Sequence, residues 1–440
     1  MELSDRHYLR HLNEVNRDNK VVLSEDLFNS NGVLVVPKGI EVNSELTLKV
    51  AKHKLSKPID DSIALGSSLS YEAVVATFEQ RLDQLKVLDL VKDMENFHAV
   101  KKAFTLIGKY PLILKKLSIL ENRMPDVFGR ALTASAMVFS LCNELKLSKE
   151  TIESAFLATI LADVGLLHIA PEIVNKQGKY TPEEWKMMQG HVAIAKHFAD
   201  QIPSMPSEVG RALLEHHERF DGFGYPFGKT GNELGIAGQV VAIVDKVSGL
   251  VKKLLTNNDY SWQSIIHVMQ IPSTAHAPEL HNAMIRLLKK ISFPYKPAFS
   301  RNLYHSLVDD CIAKRERLTL WFTEFAKVYD DHGTLLTDSD QFKPIGLLRK
   351  LEYTIANTGL LSESQHVWLE SLQQHRTEND FVDIEEFKLL LDEIEYRCLF
   401  VMRKFENASE ELTERFGGTA LLSAYRQGLE SILIHSYDTE

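Results

Sequence analysis

The stretch from His216 to Gly228, which reads HHERFDGFGYPFG, decides how the rest of the sequence is interpreted. Two adjacent histidines come first, and neutral imidazole is a common metal ligand. Glycine is costly inside a helix and proline lacks the backbone donor, so the segment from Asp221 to Pro226 predicts a loop. We therefore expect a helix to deliver His216 and His217 to a loop that begins at about Asp221, a frequent way to place chemistry on a scaffold.

This stretch closely resembles the signature of HD-GYP proteins, a branch of the HD superfamily of metal-dependent phosphohydrolases. The usual text of that family is HHERxDGxGYP, and Gly224, Tyr225 and Pro226 form the GYP itself. A match of this length is much more specific than a lone short motif. The alternative is a pair of surface histidines before an ordinary turn, and the matches elsewhere in the chain argue against it.

The segment Leu161 to Leu166 aligns without gaps to the family's LHDIGK. It keeps Asp163 and Gly165, but it has Ala162 in place of the motif histidine. Leu166 stands in place of the lysine that helps to hold the substrate phosphate in the family. The resemblance therefore implies an HD motif that has lost two of its functional side chains.

Three more positions complete the resemblance. His191 falls on a further family ligand, and Asp245 matches the aspartate ligand of the family's AIAD. Arg130 stands where the family usually has a metal-binding histidine at the start of the first core helix. The resemblance covers a little over a third of the chain.

The resemblance implies a set of site residues. The implied metal ligands are Asp163, His191, His216, His217 and Asp245, with Asp163 also a weak catalytic candidate. The implied substrate-binding residues are Arg130, Asp221, Gly224, Tyr225 and Pro226. In families of this kind the motif aspartate bridges two metals, which clamp the attacking and leaving oxygens of a phosphodiester.

Both missing histidines belong to the first of the two implied metal positions. The first metal would keep Asp163 and Asp245, but Arg130 and Ala162 stand where its histidines should be, and a guanidinium cannot act as a ligand. The second metal would keep Asp163 and three histidines, which is a full set for one transition metal ion. We therefore expect one divalent ion if any, with Fe, Mn and Zn left open.

The composition limits the cellular setting. The chain has 440 residues, a net charge of -10 and 44% hydrophobic residues, so it predicts a globular protein without a general footprint for DNA. Its three cysteines form no CxxC pair, which favours a reducing cytoplasm. The N-terminus is too polar for a signal peptide, and the apolar run from Ala155 to Leu167 is too short to span a bilayer.

The predicted fold is mainly α, with an HD-type core, a small β-rich module before it and a helical bundle after it. The predicted segments are 1–60, 61–123, 124–293 and 294–440. Strand character between Val21 and Val42 resembles a module often found ahead of HD-GYP domains, and a generic hairpin is the alternative. Ile59 to Ser70 is rich in Ser and Asp and predicts a linker. Tyr71 to Glu121 has a helical pattern.

The C-terminal region shows no match to the family. Asp383 and Glu386 predict a capping box at the start of a helix. A heptad-like apolar stripe follows from Ile384 to Phe405, and a second apolar stripe begins at Leu307. An internally packed bundle is favoured over an intermolecular coiled coil, which would make a homodimer.

Three functions remain open from the sequence. The first is a degenerate HD-GYP protein with weak or no hydrolysis of cyclic di-GMP, which acts as a nucleotide-responsive signalling or scaffolding protein. The second is a phosphodiesterase with one metal, in which Arg130 stabilises phosphate charge. The third is a purely structural interaction protein whose working surface is the C-terminal helices. Protein partners are expected at the GYP loop or at the C-terminal helices. The first implies a cyclic dinucleotide as ligand and a cytoplasmic location.

Overall fold

The computed structural model describes residues 5–84, 94–256, 262–290, 299–332, 343–374 and 378–407. These residues are mainly helical, which confirms the predicted fold class. The chain divides into two compact units, one formed by Met1–Gly249 with Thr274–Ser292 and the other by Leu250–Ser273 with Phe293–Glu440. The predicted segment boundaries at residues 60, 123 and 293 stay a prediction.

The helices of the first unit are α1 Asp5–Val15, α2 Ser44–Val50, α3 Tyr71–Gln84, α4 Met94–Gly108, α5 Pro111–Arg123, α6 Pro125–Glu144, α7 Lys149–Leu161, α8 Pro171–Val174, α9 Pro182–Gln189, α10 His191–Asp200, α11 Ser207–Glu215, α12 Ile236–Leu250 and α14 Pro278–Lys289. Those of the second unit are α13 Trp262–Gln270, α15 Tyr304–His332, α16 Lys343–Thr358, α17 Glu363–Gln374 and α18 Glu378–Asn407, after a π-helical turn at Val251–Thr256. The strands are β1 Val21–Leu23, β2 Leu27–Phe28, β3 Leu34–Val36 and β4 Ile63–Leu65.

The N-terminal module consists of two small antiparallel sheets, β1 with β4 and β2 with β3. The strand character between Val21 and Val42 is thus confirmed, but the linker predicted at Ile59 to Ser70 is wrong in its first half. Ile59–Ser62 is a 3-10 turn, and β4 pairs Ile63 with Leu23. Ile59 and Ile63 are buried, so two apolar anchors outweigh the polar composition of this segment.

The core of the first unit is built from α6, α7, α10 and α11. Val138, Leu141 and Cys142 of α6 are buried in this core. The segment Lys149–His168 is long and apolar enough to cross a membrane, but 67% of its most apolar window is buried. A buried core helix passes the same test of length and composition, so this segment is weak support for a membrane span.

The second unit is a helical bundle in which α18 packs against α13, α15 and α16. The predicted apolar stripe of α18 is buried from Ile384 to Val401, whereas the side chain of Phe405 lies outside the described residues. The predicted capping box is wrong, because α18 begins at Glu378 and Asp383 lies inside it. Phe381 extends the buried stripe by one turn, and this packing carries the helix past the local capping signal.

Candidate functional site

Helix ends deliver the three histidines of the site. His191 is the first residue of α10, and His216 caps α11, which ends at Glu215. The loop therefore begins about five residues earlier than the sequence predicted. Glu218 explains this, because its buried carboxylate accepts hydrogen bonds from the backbone N–H groups of Phe227 at 2.6 Å and Lys229 at 3.1 Å. These bonds hold the chain in a loop.

The side chains of His191, His216 and His217, called here the histidine cluster, lie close together. One ligand atom from each ring lies within 4.8 Å of the others. The Nδ1 atoms of His191 and His216 lie 2.6 and 2.8 Å from the carbonyl oxygens of Met188 and Leu213. Such outer contacts orient imidazole rings in metal sites.

These contacts determine where the ring hydrogens lie. A carbonyl oxygen only accepts, so Nδ1 of His191 and of His216 must carry the hydrogen and each neutral ring keeps a lone pair on Nε2. The two Nε2 atoms are 3.4 Å apart. Two lone pairs facing each other repel unless a cation lies near both. The histidine cluster therefore fits a metal ion, and imidazole suits Fe, Cu, Ni and Zn.

Burial favours the neutral forms of His191 and His217. Burial, together with the nearby His216, lowers the pKa of His191 to about 4. Burial and the two neighbouring imidazoles lower the pKa of His217 well below its usual value. A neutral imidazole is the form that binds a metal.

The two carboxylates of the implied site extend the cluster in different directions. Oδ1 of Asp163 lies 4.0 Å from Nε2 of His191, and its other oxygen, Oδ2, lies 3.4 Å from Nη2 of Arg130. Oδ2 of Asp245 lies 3.8 Å from Nδ1 of His217. Burial and the charge of Asp163 raise the pKa of Asp245. The structure thus brings all five implied ligands together, and their role as ligands stays a prediction.

The HD motif itself is shaped by a close backbone approach. A Cβ added at Gly165 would lie 2.1 Å from the carbonyl oxygen of His191, so this position requires glycine. Leu166 is buried and offers no group that could bind an anion. His168 does not replace the missing lysine, because its side chain is buried with its Nε2 atom 2.9 Å from Nζ of Lys116.

The GYP loop covers the histidine cluster. The ring of Tyr225 stacks on His217 with a centroid distance of 4.8 Å. Burial, with the charges of Asp245 and Asp163, raises the pKa of Tyr225, so its hydroxyl stays protonated and can donate a hydrogen bond. A Cβ at Gly224 would lie 2.4 Å from the backbone of Glu218, which explains the glycine at this position. Pro226 is exposed beside Tyr225.

Asp221 has a clear structural role in this loop. Its carboxylate accepts two hydrogen bonds from Arg219, at 2.9 and 2.6 Å, and one from the hydroxyl of Thr274 at 2.7 Å. The backbone N–H of Phe223 donates a further bond at 3.2 Å. The carboxylate therefore holds the loop, and substrate binding by Asp221 stays a prediction.

Some residues around the site carry no signal in the sequence. The carbonyl groups of Met188 and Leu213 orient the histidines, but a backbone group leaves no mark on residue type. Lys116, Asp60 and His168 form a second buried polar group, called here the lysine cluster, in which Lys116 Nζ lies 2.8 Å from Asp60. The three are far apart in the sequence, and no spacing rule would join them.

Comparisons with known proteins identify relatives of part of this chain. Residues 117–276 match the family model for the HD domain. A cyclic di-GMP phosphodiesterase of Thermotoga maritima is 27% identical over 168 residues, which cover 38% of this chain and 46% of that protein. A cyclic di-GMP phosphodiesterase of Pseudomonas aeruginosa is 26% identical over 187 residues, 41% of this chain and 43% of that protein.

A 3'3'-cGAMP-specific phosphodiesterase of Vibrio cholerae is 24% identical over 193 residues, which cover 44% of this chain and 39% of that protein. The chain thus spans under half the length of these three relatives. A solved HDG"Y"P protein from Bdellovibrio bacteriovorus matches with a TM-score of 0.34 and 14% identity, over 62% of this chain and 94% of its own. That similarity is too low to define the fold.

Proposed function

We propose that this chain, which is an HD-GYP domain protein, binds a cyclic dinucleotide and hydrolyses it weakly or not at all. It would act as a nucleotide-responsive signalling or scaffolding protein. Its relatives are cyclic di-GMP and cGAMP phosphodiesterases, which supports the ligand class. The observation that carries the proposal is the position of Asp163, with one oxygen toward His191 and the other toward Arg130.

In this proposal, the guanidinium takes the place of a second metal. Asp163, His191, His216 and His217 would hold one ion, Fe, Mn or Zn, with Asp245 beside them. When bound, such an ion supplies Lewis-acid stabilisation of phosphate charge. Arg130 offers a fixed positive charge on the other side of Asp163, which can bind a phosphate oxygen but cannot activate water. We therefore expect binding to be retained and hydrolysis to be reduced.

The pairing of Arg130 favours a second function. The Nε atom of Arg130 is buried and has no hydrogen-bond partner among the described residues, and its contact with Asp163 is long at 3.4 Å. The Arg130 side chain is 31% exposed, so its guanidinium can bind a phosphate whose charge grows during the reaction. The chain would then be a phosphodiesterase with one metal, in which Asp163 has a catalytic role and Arg130 stabilises the transition state.

The remaining contacts belong to the same proposal. Tyr225 would donate its hydroxyl hydrogen to the nucleotide, and the Gly224 to Pro226 backbone would border it. Phe227, Met187 and Trp185 are 65%, 51% and 43% exposed, which supports a protein partner at the GYP loop. The C-terminal helices are the alternative surface, including for a homodimer. We propose a cytoplasmic location, as the cysteine pattern predicts.

The test uses the full chain purified from growth with Fe, Mn and Zn. We expect about one metal ion per chain, saturable binding of cyclic di-GMP, and turnover far below that of an unaltered two-metal relative measured in parallel. Losing one metal removes several kcal/mol of transition-state stabilisation, and each 1.36 kcal/mol is about tenfold in rate. Rapid hydrolysis that is abolished by His216→Ala would contradict the first function and establish the second.

A gain-of-function variant tests whether the missing histidines limit hydrolysis. Arg130→His combined with Ala162→His rebuilds the missing histidines of the first metal. If the rest of the pocket is sound, the double variant should bind a second ion and hydrolyse cyclic di-GMP faster. The matched control is His53→Ala, which removes an exposed histidine far from these residues in the sequence. If the chain binds neither metal nor nucleotide, only the third function remains, that of a structural interaction protein.

A further inference from the structure

A cavity lies in the N-terminal part of the first unit. Its volume is about 490 Å³, and residues from α1, α2, the end of α5 and the start of α8 line it. None of the lining residues belongs to the histidine cluster or to the GYP loop. The volume falls within the usual range for small-molecule sites, about 300–1,000 Å³.

The cavity carries more positive than negative charge. Arg6, Arg10 and Arg123 line it, with Glu14 as the one lining carboxylate. Arg10 is already paired, because its guanidinium donates two hydrogen bonds to Glu172 at 2.7 and 3.3 Å.

Glu14 is paired as well, at 2.6 Å from Arg17. Within the described part of the chain, Arg6 and Arg123 have no carboxylate partner. Two uncompensated positive charges therefore remain at the cavity.

A buried histidine adds a donor to these charges. His11 lines the cavity and is only 4% exposed. Its Nδ1 atom lies 3.4 Å from Nε of Arg123, and since arginine only donates, Nδ1 must accept. The ring hydrogen is then on Nε2, which is buried and has no partner among the described residues. Buried polar groups normally have a hydrogen-bond partner, and this unpaired one belongs to a residue that lines the cavity.

The charge state of His11 supports this assignment. Burial, followed by the charges of Arg123 and Arg10, lowers the pKa of His11 to about 4. The ring is therefore neutral at pH 7 and donates from Nε2 without adding a third charge. The cavity offers two guanidinium groups and one neutral donor.

We infer that this cavity binds a small organic phosphomonoester. Such a group carries a charge of about -1.5 to -2 at pH 7, which matches the two unpaired arginines. Guanidinium groups bind phosphate oxygens in a bidentate manner. Leu48, which is 62% exposed at the cavity, and Pro171 provide apolar contacts for the organic part of the ligand.

The test is calorimetric titration of the full chain with adenosine 5′-monophosphate, inorganic phosphate, adenosine and succinate. We expect one molecule of the monophosphate to bind per chain, phosphate to bind more weakly, and adenosine not to bind. Arg6→Gln with Arg123→Gln should weaken binding about a hundredfold, since each lost charge-assisted hydrogen bond costs about tenfold. Arg6→Gln alone, at an exposed position, should weaken it about tenfold.

Two controls locate the site. Arg286→Gln removes an exposed arginine of the same unit that pairs with Glu144, and it should change the affinity less than about twofold. His216→Ala should also leave the affinity unchanged, because it alters only the histidine cluster. The inference is overturned if the monophosphate does not bind saturably, if succinate binds as tightly, if the arginine variants bind normally, or if His216→Ala abolishes binding.

Discussion

The first unit holds two buried polar groups that differ in how well their atoms are paired. In the lysine cluster, Nζ of Lys116 contacts both oxygens of Asp60 at 2.8 and 3.0 Å, and it lies 3.7 Å from the centre of the Tyr8 ring. In the histidine cluster, two Nε2 lone pairs face each other at 3.4 Å.

This difference separates structural from functional polar groups. Burying a charge is tolerated when it is paired and hydrogen-bonded, so the charges of Lys116 and Asp60 compensate each other, although Nδ1 of His168 has no hydrogen-bond partner among the described residues. The lone pairs of the histidine cluster instead leave a position that fits a metal ion. Removing a residue should therefore change stability in the first group and binding in the second.

The largest effect is expected for Asp60→Asn. It removes the negative charge beside Lys116, which is 1% exposed, and leaves a buried cation without compensation. Breaking a buried ion pair costs about 3–5 kcal/mol, so the free energy of unfolding measured in urea should fall by that amount. Metal affinity should stay unchanged.

Asp61→Asn is the matched control, because Asp61 is the exposed neighbour of Asp60. Its effect should be within about 0.5 kcal/mol. Equal losses for the two variants would show that the ion pair with Lys116 does not stabilise the fold.

The next largest effect is expected for His216→Ala, which should change metal binding rather than stability. Changing outer contacts of a metal ligand costs about 10–100-fold in affinity, so removing a ligand should cost at least about a hundredfold. Competition with a chelator would measure the affinity for Zn and Mn, and His53→Ala would serve as control. A variant that binds metal as tightly as the unaltered chain would show that the three histidines do not form a metal site.

A smaller effect is expected from pH. Burial, and next the charge of Lys116, lowers the pKa of His168 well below the unfolded value of about 6.5. Protonation therefore favours the unfolded chain, so the stabilisation is complete above pH 6.5 and is lost as the pH falls. One proton changes the free energy of unfolding by at most about 1.4 kcal/mol per pH unit, or about 2 kcal/mol between pH 6.5 and 5.

Comparing the unaltered chain with His168→Gln isolates this contribution. The variant has no imidazole at this position, so its free energy of unfolding should depend less steeply on pH between 6.5 and 5. Parallel curves for the two proteins would mean that His168 has the same pKa in the folded and the unfolded chain.

The same contrast explains what the sequence could predict. His216 and His217 are adjacent and lead into a loop of glycine and proline, so residue type and spacing identify them together. Asp163 and His191 were identified by resemblance to a family motif. The lysine cluster has no such signal, because Lys116 and Asp60 are 56 residues apart and meet only after α5 packs on the N-terminal module.

Local signals failed where packing opposed them. The capping box at Asp383 was wrong because the buried face of α18 continues through Phe381. The linker at Ile59 to Ser70 was wrong because Ile63 pairs with Leu23 in a sheet. In both cases, tertiary burial outweighs a preference worth about 1 kcal/mol.

The smallest effect is expected for Arg130. Its guanidinium is less well paired than the lysine cluster but better paired than the histidine cluster. Its guanidinium is paired with Asp163, as in the lysine cluster, but only at 3.4 Å and with Nε unused. Arg130→Gln removes this charge and keeps much of the side-chain volume. We expect about a tenfold loss of affinity for cyclic di-GMP, equivalent to about 1.4 kcal/mol, because one charge-assisted hydrogen bond to phosphate is lost.

Metal binding gives the second measurement for Arg130→Gln. A positive charge next to Asp163 opposes a cation at the histidine cluster, so its removal should leave metal affinity equal or higher. Arg286→Gln, which removes an exposed arginine paired with Glu144, should change neither affinity. The alternative is that Arg130 mainly positions Asp163. In that case Arg130→Gln would lower the affinity for metal, and the affinity for the nucleotide would fall as well. Opposite changes in the two affinities would place Arg130 among the groups that contact the nucleotide.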